Sequence, residues 1–379
     1  VPPANLNADP NLIPNPEVYD DQLHIKLANL KNQFQQFALP AIEVFPSTPL
    51  YYRLRAEFKI WHQDGLAHYA MYRQGEHKKP YVVEDFKVGS RLINNLMPPL
   101  LSAINQSSIL SRRLFSVEFL SALSGEVLIT LLYHRVLDDD WHSAATQLSA
   151  TLDADIIGRS RKQKVVLSRD YVNETLTVGG VDYHYQQVET GFTQPNGGVN
   201  EKMIAWALNK SRYFSGDLLE LYCGNANFTI PLASNFKRVL ATEIAKISLK
   251  SAMLNLNKNN IENVDLVRMS SEEITQALNK ERSFYRLRDI NLDDYNFSTV
   301  FVDPPRAGLD SGTRDLLHRF DNIVYMSCSP ATLHTDLTSL KDSYNIEHFA
   351  IFDQFPYTSH LECGVVLKRE VRRRVAQWY

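Results

Sequence analysis

A chain of 379 residues with 44% hydrophobic and 22% charged content has the composition of a globular protein, with room for two domains and a substantial sheet core. No apolar run approaches the roughly 20 residues of a membrane span, and a net charge of −3 excludes whole-molecule attraction to nucleic acid, leaving only local basic patches. Cys223, Cys328 and Cys363 form no Cys-x-x-Cys pair, so no metal or iron–sulfur cluster is expected, and a reduced, cytoplasmic setting is.

Residues 1 to about 16, rich in Pro and Asn, read as a poorly ordered leader without an export signal. Leu23, Leu27, Leu30, Phe34 and Phe37 then recur at helical spacing, predicting an amphipathic helix that stops at Pro40. From Tyr51 the period changes to two. Leu54, Ala56, Phe58 and Ile60 share one face of a strand, and Arg53, Arg55, Glu57 and Lys59 share the other, ahead of a Gln63-Asp64-Gly65 turn. Strand-like runs at 81–83, 114–120, 127–133 and 165–167 alternate with helical patterns at 90–102 and 139–152, an α+β arrangement.

After Asn200 strands and helices alternate, with short apolar strands at 218–222, 238–242, 264–268, 299–302, 322–326, 348–352 and 364–368. This pattern predicts an α/β fold: a Rossmann-like, seven-stranded, mostly parallel sheet with an antiparallel hairpin at one edge. The expected organisation is a leader and helix over 1–47, an α+β domain over 48–188 and the α/β domain over 189–379.

Two strand ends carry ligand-binding chemistry. The run Leu218–Tyr222 leads into Cys223-Gly224-Asn225-Ala226-Asn227, and Glu243 closes the next strand nineteen positions after Gly224. An acid at that place accepts hydrogen bonds from ribose hydroxyls, and the glycine lets backbone approach the ligand. One glycine where a dinucleotide site wants three disfavours NAD and favours a nucleoside ligand without pyrophosphate, such as S-adenosylmethionine; a corner with no ligand is the plainer alternative. Val302-Asp303-Pro304-Pro305-Arg306 places a carboxylate and a rigid double proline above the strand ends.

Ile323 to Pro330 is an apolar run that delivers Cys328 to a Ser-Pro helix start. There the backbone N–H groups favour an anion and lower a thiol's pKa, so a nucleophile is expected. A buried, inert cysteine is the alternative. Cys363 reads as structural.

Phe192-Thr193-Gln194-Pro195-Asn196, Leu219 to Asn225, Ala241-Thr242-Glu243, Phe301 to Arg306, Ser327-Cys328 and His360 to Gly364 together resemble the ordered motifs of RNA 5-methyluridine methyltransferases. Tyr52 to His62 and Phe352 to Thr358 resemble the tRNA (uracil-5-)-methyltransferase branch. The resemblance covers nearly the whole chain after the leader. It implies S-adenosylmethionine-dependent methylation of uridine 54 in the T-loop of tRNA, and allows the corresponding loop of transfer-messenger RNA. It further implies Cys328 as nucleophile and Glu362 as base, with Gln194, Tyr222, Asn227, Glu243 and Asp303 lining the cofactor pocket or its border with the base. Ala226 departs from the family's usual glycine, and Ser329 from its usual Asn or Asp.

The chemistry needs these residue types. Carbon 5 of uracil is a weak nucleophile until a thiolate adds to carbon 6, and the proton left on carbon 5 needs a carboxylate within reach. A flipped loop base calls for stacking and phosphate contacts. The candidates are Arg53, Arg55, Lys59, Phe115 and Arg161, with Arg372-Arg373-Arg374 as a further basic run. No membrane or obligate protein partner is expected. The weighed alternatives are an RNA cytosine-5 methyltransferase, whose fourth-strand motif carries a second cysteine absent from Asp303–Arg306, and a tRNA-binding or folding protein on an inactive methyltransferase fold.

Overall fold

The computed structural model describes residues 14–72 and 80–370. Most of the expected leader and the Arg372-Arg373-Arg374 run lie outside the described residues. The chain divides into two compact units, Val1–His24 with Ser47–Glu201 and Gln354–Ser359, and Ile25–Pro46 with Lys202–Asp353 and His360–Tyr379. The expected boundary at 47/48 lies one residue from the break at 46/47, whereas that at 188/189 lies 13 residues before the break at 201/202. The two short excursions of the chain, at 25–46 and 354–359, carry no local signal.

In the first unit the seven-stranded sheet runs Pro80–Val82, Leu66–Tyr72, Arg55–Gln63, Leu114–Ser121, Val127–Tyr133, Asp155–Ser160, Gln163–Val166. Asp64 and Gly65, with φ of 52° and 80°, make the tight two-residue turn whose twist matches paired strands. Phe58, Tyr69, Phe119 and Ile129 pack with Ile93, Leu100 and Trp141 from the helices Arg91–Gln106 and Asp139–Leu152. Each of these helices begins at a side-chain cap, Ser90 and Asp138. The expectation did not include the hairpin Tyr171–Val178/Val181–Val188, although its Gly179-Gly180 turn, at φ 60° and 82°, is a standard hairpin signal.

The second unit's sheet has eight strands, in the order Ile42–Phe45, Tyr344–Phe352, Glu362–Arg369, Asn322–Ser327, Phe297–Val302, Asp217–Leu221, Val239–Thr242, Val264–Val267. All point the same way except Glu362–Arg369, which is antiparallel to both neighbours. The seven-strand expectation is thereby corrected. Ile42–Phe45 pairs with Phe349–Phe352, and Phe45 stacks on Phe352 at 4.8 Å, so the late hairpin is interior and not at an edge. The amphipathic helix, Tyr19–Gln33, ends before Pro40. Beyond it Phe34 is fully buried against Phe349, and within it Lys26 forms a buried 2.6 Å ion pair with Asp353.

This topology places the chemistry. Seven parallel strands deliver their carboxyl ends, and the loops after them, to one edge of the sheet, where open α/β sheets bind ligands. The reversed strand starts at that same edge, so its first residue, Glu362, faces the place where its neighbour's last residue stops.

Candidate active site

Cys328 follows the wholly buried strand Asn322–Ser327 and precedes the eleven-residue helix Pro330–Leu340. Ser329 caps that helix, its Oγ accepting from Thr332 N at 3.4 Å, and Pro330 fills the first helical position, where no N–H is missed. Serine thus serves at the cap as Asn or Asp would. Ser327 Oγ donates to Ser329 O and accepts from Ser329 N, which braces the turn around the thiol.

The expected low thiol pKa is corrected. Burial pushes Cys328 up to about 11, and the carboxyl groups of Glu362 and Asp303 push it the same way against the opposing pull of Arg306. Two acids and a half-buried position outweigh the helix N-terminus, whose effect is confined to one turn.

Ser327 pairs with Cys363 across the antiparallel ladder, so one further step of register sets Cys328 against Glu362. Glu362 is 5% exposed. Burial raises its carboxyl to about 8, with Asp303 adding and Arg306 opposing. Asp303, just past the end of Phe297–Val302, is raised by burial to about 7. Three groups that each resist ionising near neutrality share one spot with one guanidinium, a pattern that marks sites of proton movement. Cys363 projects from the opposite face of its strand, is fully buried, and burial pushes its thiol up as well.

The turn after Asp217–Leu221 is curled tightly, with Tyr222, Gly224 and Ala226 at φ of 61°, 57° and 69°. Ala226 thus holds the left-handed backbone for which glycine is the usual residue. Glu243 Oε2 accepts from Gly224 N at 3.0 Å and Oε1 from Ala245 N at 2.6 Å, which anchors the acid beside the turn with lone pairs to spare. Tyr222 donates its hydroxyl to Ser271 Oγ at 2.8 Å. A Cβ built on Gly224 would meet nothing within 4 Å, so the backbone there faces open space. Beneath the turn, Glu220 is buried against Thr229, and burial pushes its carboxyl up to about 8. An open cradle, an anchored acid and half-buried Asn227 suit a nucleoside ligand with polar ends, and S-adenosylmethionine fits this donor set. Among the described residues no group of three His, Cys, Asp or Glu side chains could hold a metal ion.

The remaining candidates lie in the first unit. Gln194 is half-buried and accepts at Oε1 from Gln354 Nε2 at 2.8 Å. Arg53 donates to Arg55 O at 2.8 Å, and Arg55 donates to Gly191 O at 2.9 Å and to the Glu189 carbonyl, so these two guanidinia brace backbone instead of projecting freely. Lys59 Nζ lies 4.6 Å from the centroid of Phe115, which is 40% exposed. Arg161 is exposed in the turn between Asp155–Ser160 and Gln163–Val166. Sequence reasoning missed His134, whose ring stacks on Phe115 at 4.3 Å and 23°. Its signal was the register of the 114–121 and 127–133 strands: Leu114 faces Tyr133, which brings the next residue on one strand and the residue past the end of the other to the same corner.

The fold and the edge-clustered site define a Rossmann-like, S-adenosylmethionine-dependent methyltransferase. A family model described as tRNA (Uracil-5-)-methyltransferase matches residues 18–370, and the chain belongs to that family. It is 54% identical over 357 residues to the tRNA/tmRNA (uracil-C(5))-methyltransferase of Saccharophagus degradans, covering 94% of this chain and 98% of the relative. It is 55% identical over 351 residues to the Cellvibrio japonicus protein of the same name, covering 93% and 96%. The fold is similar to that of Pyrococcus abyssi tRNA (uracil-54, C5)-methyltransferase in complex with S-adenosyl-L-homocysteine, with a TM-score of 0.71 at 21% identity, covering 92% of this chain and 83% of that one. No helix among the described residues is long and apolar enough to cross a membrane.

Proposed function

We propose that this enzyme methylates carbon 5 of uridine 54 in the T-loop of tRNA, and the corresponding loop of transfer-messenger RNA, in the cytoplasm, through a covalent bond between Cys328 and carbon 6 of the base. The observation that carries this reading is the meeting of Cys328 and Glu362 at one sheet edge, brought about by a single reversed strand. The curated relatives named for tRNA and tmRNA support the substrate.

When bound, S-adenosylmethionine supplies an electrophilic methyl group; Tyr222, Asn227, Glu243 and Asp303 are the residues proposed to hold it. Cys328 gives its thiol proton to solvent and Sγ, as thiolate, adds to carbon 6 of uracil, while the π electron pair of the carbon 5–carbon 6 double bond moves into the ring as an enolate. Arg306 is the cation whose field reaches Cys328 and Glu362, and it favours negative charge on either. Once carbon 5 carries the methyl group, the Glu362 carboxylate takes the remaining carbon-5 proton, the double bond re-forms and the thiolate leaves. A carboxyl near 8 suits that step, because a base of such pKa is both available and strong close to neutral pH.

On the first unit, Phe115 and His134 form an exposed aromatic pair with the Lys59 ammonium beside it, the combination that stacks a loop base and meets phosphate. Arg161 is a second phosphate candidate; Arg53 and Arg55 hold the backbone at Arg55 and at 189–191 instead. Incubating unmodified tRNA with labelled cofactor tests the reading. Label at carbon 5 of the T-loop uridine is expected, and Cys328→Ala is expected to abolish it while cofactor binding survives. Label elsewhere, or turnover by the cysteine variant, would end the proposal.

A further inference from the structure

Asp336, on the Pro330–Leu340 helix, is 1% exposed and has no part in the chemistry above. Its Oδ2 accepts from the Tyr325 hydroxyl at 2.6 Å and from Leu309 N at 3.2 Å, and its Oδ1 accepts from Arg314 Nη1 at 3.2 Å. Arg314 Nη1 also donates to Leu309 O at 2.8 Å. The three donors come from three different elements. Tyr325 lies on the strand that delivers Cys328, three residues before it. Leu309 ends the loop that begins with Asp303 and carries Arg306. Arg314 belongs to the helix Ser311–Leu317.

That loop is pressed onto the nucleophile's helix. Gly308 sits at φ +77°, and a Cβ there would come within 2.9 Å of Thr332 Cβ and 3.1 Å of Asp336 Oδ2. Gly308 N closes a turn on Pro305 O at 2.9 Å. Arg306, at the tip of that turn, is exposed and makes no hydrogen bond or ion pair among the described residues, so what the loop sets is the backbone position from which its side chain reaches. At the other end, Asp303 is fixed by the strand Phe297–Val302.

We infer that Asp336 is a positioning residue for the methyl-transfer reaction: one buried side chain sets the loop bearing Asp303 and Arg306 against the strand and helix bearing Cys328. The inference rests on the proposed roles of Cys328 and Glu362. A buried side chain that accepts from several elements has an over-determined position, and losing one acceptor leaves a donor buried and unpaired. Asp336→Asn keeps the shape but turns an N–H₂ group toward a donor. The loop then shifts, and reacting groups displaced by a fraction of an ångström lose rate more than they lose affinity.

The test is made in the Glu362→Gln background, where the carbon-5 proton stays in place and the Cys328–RNA bond accumulates. The time course of that conjugate gives a rate constant, and its plateau gives the fraction of competent sites. Asp336→Asn is expected to slow the rate constant by about 10-fold to 100-fold, with the plateau, the affinity for S-adenosylhomocysteine and the affinity for tRNA each within about threefold of the parent. Tyr325→Phe removes one donor without changing the packing volume and is expected to slow the same step by about threefold or more; it carries the test if Asp336→Asn costs the fold. A rate constant within about twofold of the parent in both variants, or a lowered plateau at an unchanged rate constant, overturns the inference, because loss of folded protein would then be the whole effect. Absence of any conjugate in the Glu362→Gln parent would instead overturn the proposed chemistry on which the inference stands.

Discussion

Replacing Glu362 by glutamine should make the protein more stable, and increasingly so as the pH rises. The carboxyl moves from an ordinary 4.5 to about 8 because it is buried beside Asp303. The folded protein therefore binds this proton more tightly than the unfolded chain does. Between pH 4.5 and about 8 the folded state holds the extra proton, so the group's contribution to stability falls as pH rises through that window and levels off above it. At about 1.4 kcal/mol per pH unit, the full difference is about 5 kcal/mol, and by pH 7 about 3 kcal/mol has already been lost. Glutamine has nothing to ionise and nearly the same volume. Urea unfolding of parent and variant at pH 5 and pH 8.5 measures the effect: the two should differ little at pH 5, and the variant should lead by several kcal/mol at pH 8.5. A stability difference that does not change with pH would refute the claim that this carboxyl is held in a setting hostile to its charge.

Breakdown of the methylated Cys328–RNA conjugate should quicken with pH through about 8 as Glu362 becomes a carboxylate, because the proton-removing form is the ionised one; a breakdown rate flat between pH 6 and 9 would remove Glu362 as the base. Ala226→Gly should stabilise the protein by about 1 kcal/mol, since an alanine at φ 69° carries a left-handed backbone penalty that glycine lacks; an unchanged or lower Tm would count against that strain. Phe115→Ala should weaken tRNA binding by about 1–3 kcal/mol, the usual worth of one aromatic stack on a base, and leave S-adenosylhomocysteine binding untouched; filter binding at fixed salt checks this, and unchanged affinity would take Phe115 out of the RNA surface. Lys26→Met should cost about 3–5 kcal/mol by removing the cation that offsets buried Asp353; chemical denaturation of the variant measures it, and a loss below about 1 kcal/mol would show that the pair is not needed.

What was legible in the chain is local. The apolar run before Cys328, its Ser-Pro helix start, the glycine turn before Glu243 and the proline stop after Asp303 each announce a strand end, and the strand–helix alternation fixes the fold class. What was not legible depends on distant neighbours. Ile42–Phe45 is only four residues long, and its partner lies some 300 residues further along the chain, so the eighth strand and the interior place of the hairpin have no local signal. The acidity of Cys328 is illegible for the same reason: its own segment shows a helix N-terminus, while the burial that raises it, and after that the acids Glu362 and Asp303, come from other segments. Glu362 looks like a surface acid at the start of a strand, and only the reversed direction of that strand buries it. Arg53 and Arg55 alternate as exposed residues should, yet the carbonyls that take their donors come from the 189–191 segment and from Arg55 itself.

One sulfur and one carboxylate are proposed to act on the same extruded uracil. The most direct test is mass spectrometry of the conjugate formed when Glu362→Gln protein meets unmodified tRNA and cofactor, after digestion of both polymers. A single modified peptide is expected, with Cys328 bonded to a methylated uridine from position 54. A conjugate on any other side chain, a nucleotide from outside the T-loop, or an unmethylated base on Cys328 would contradict it.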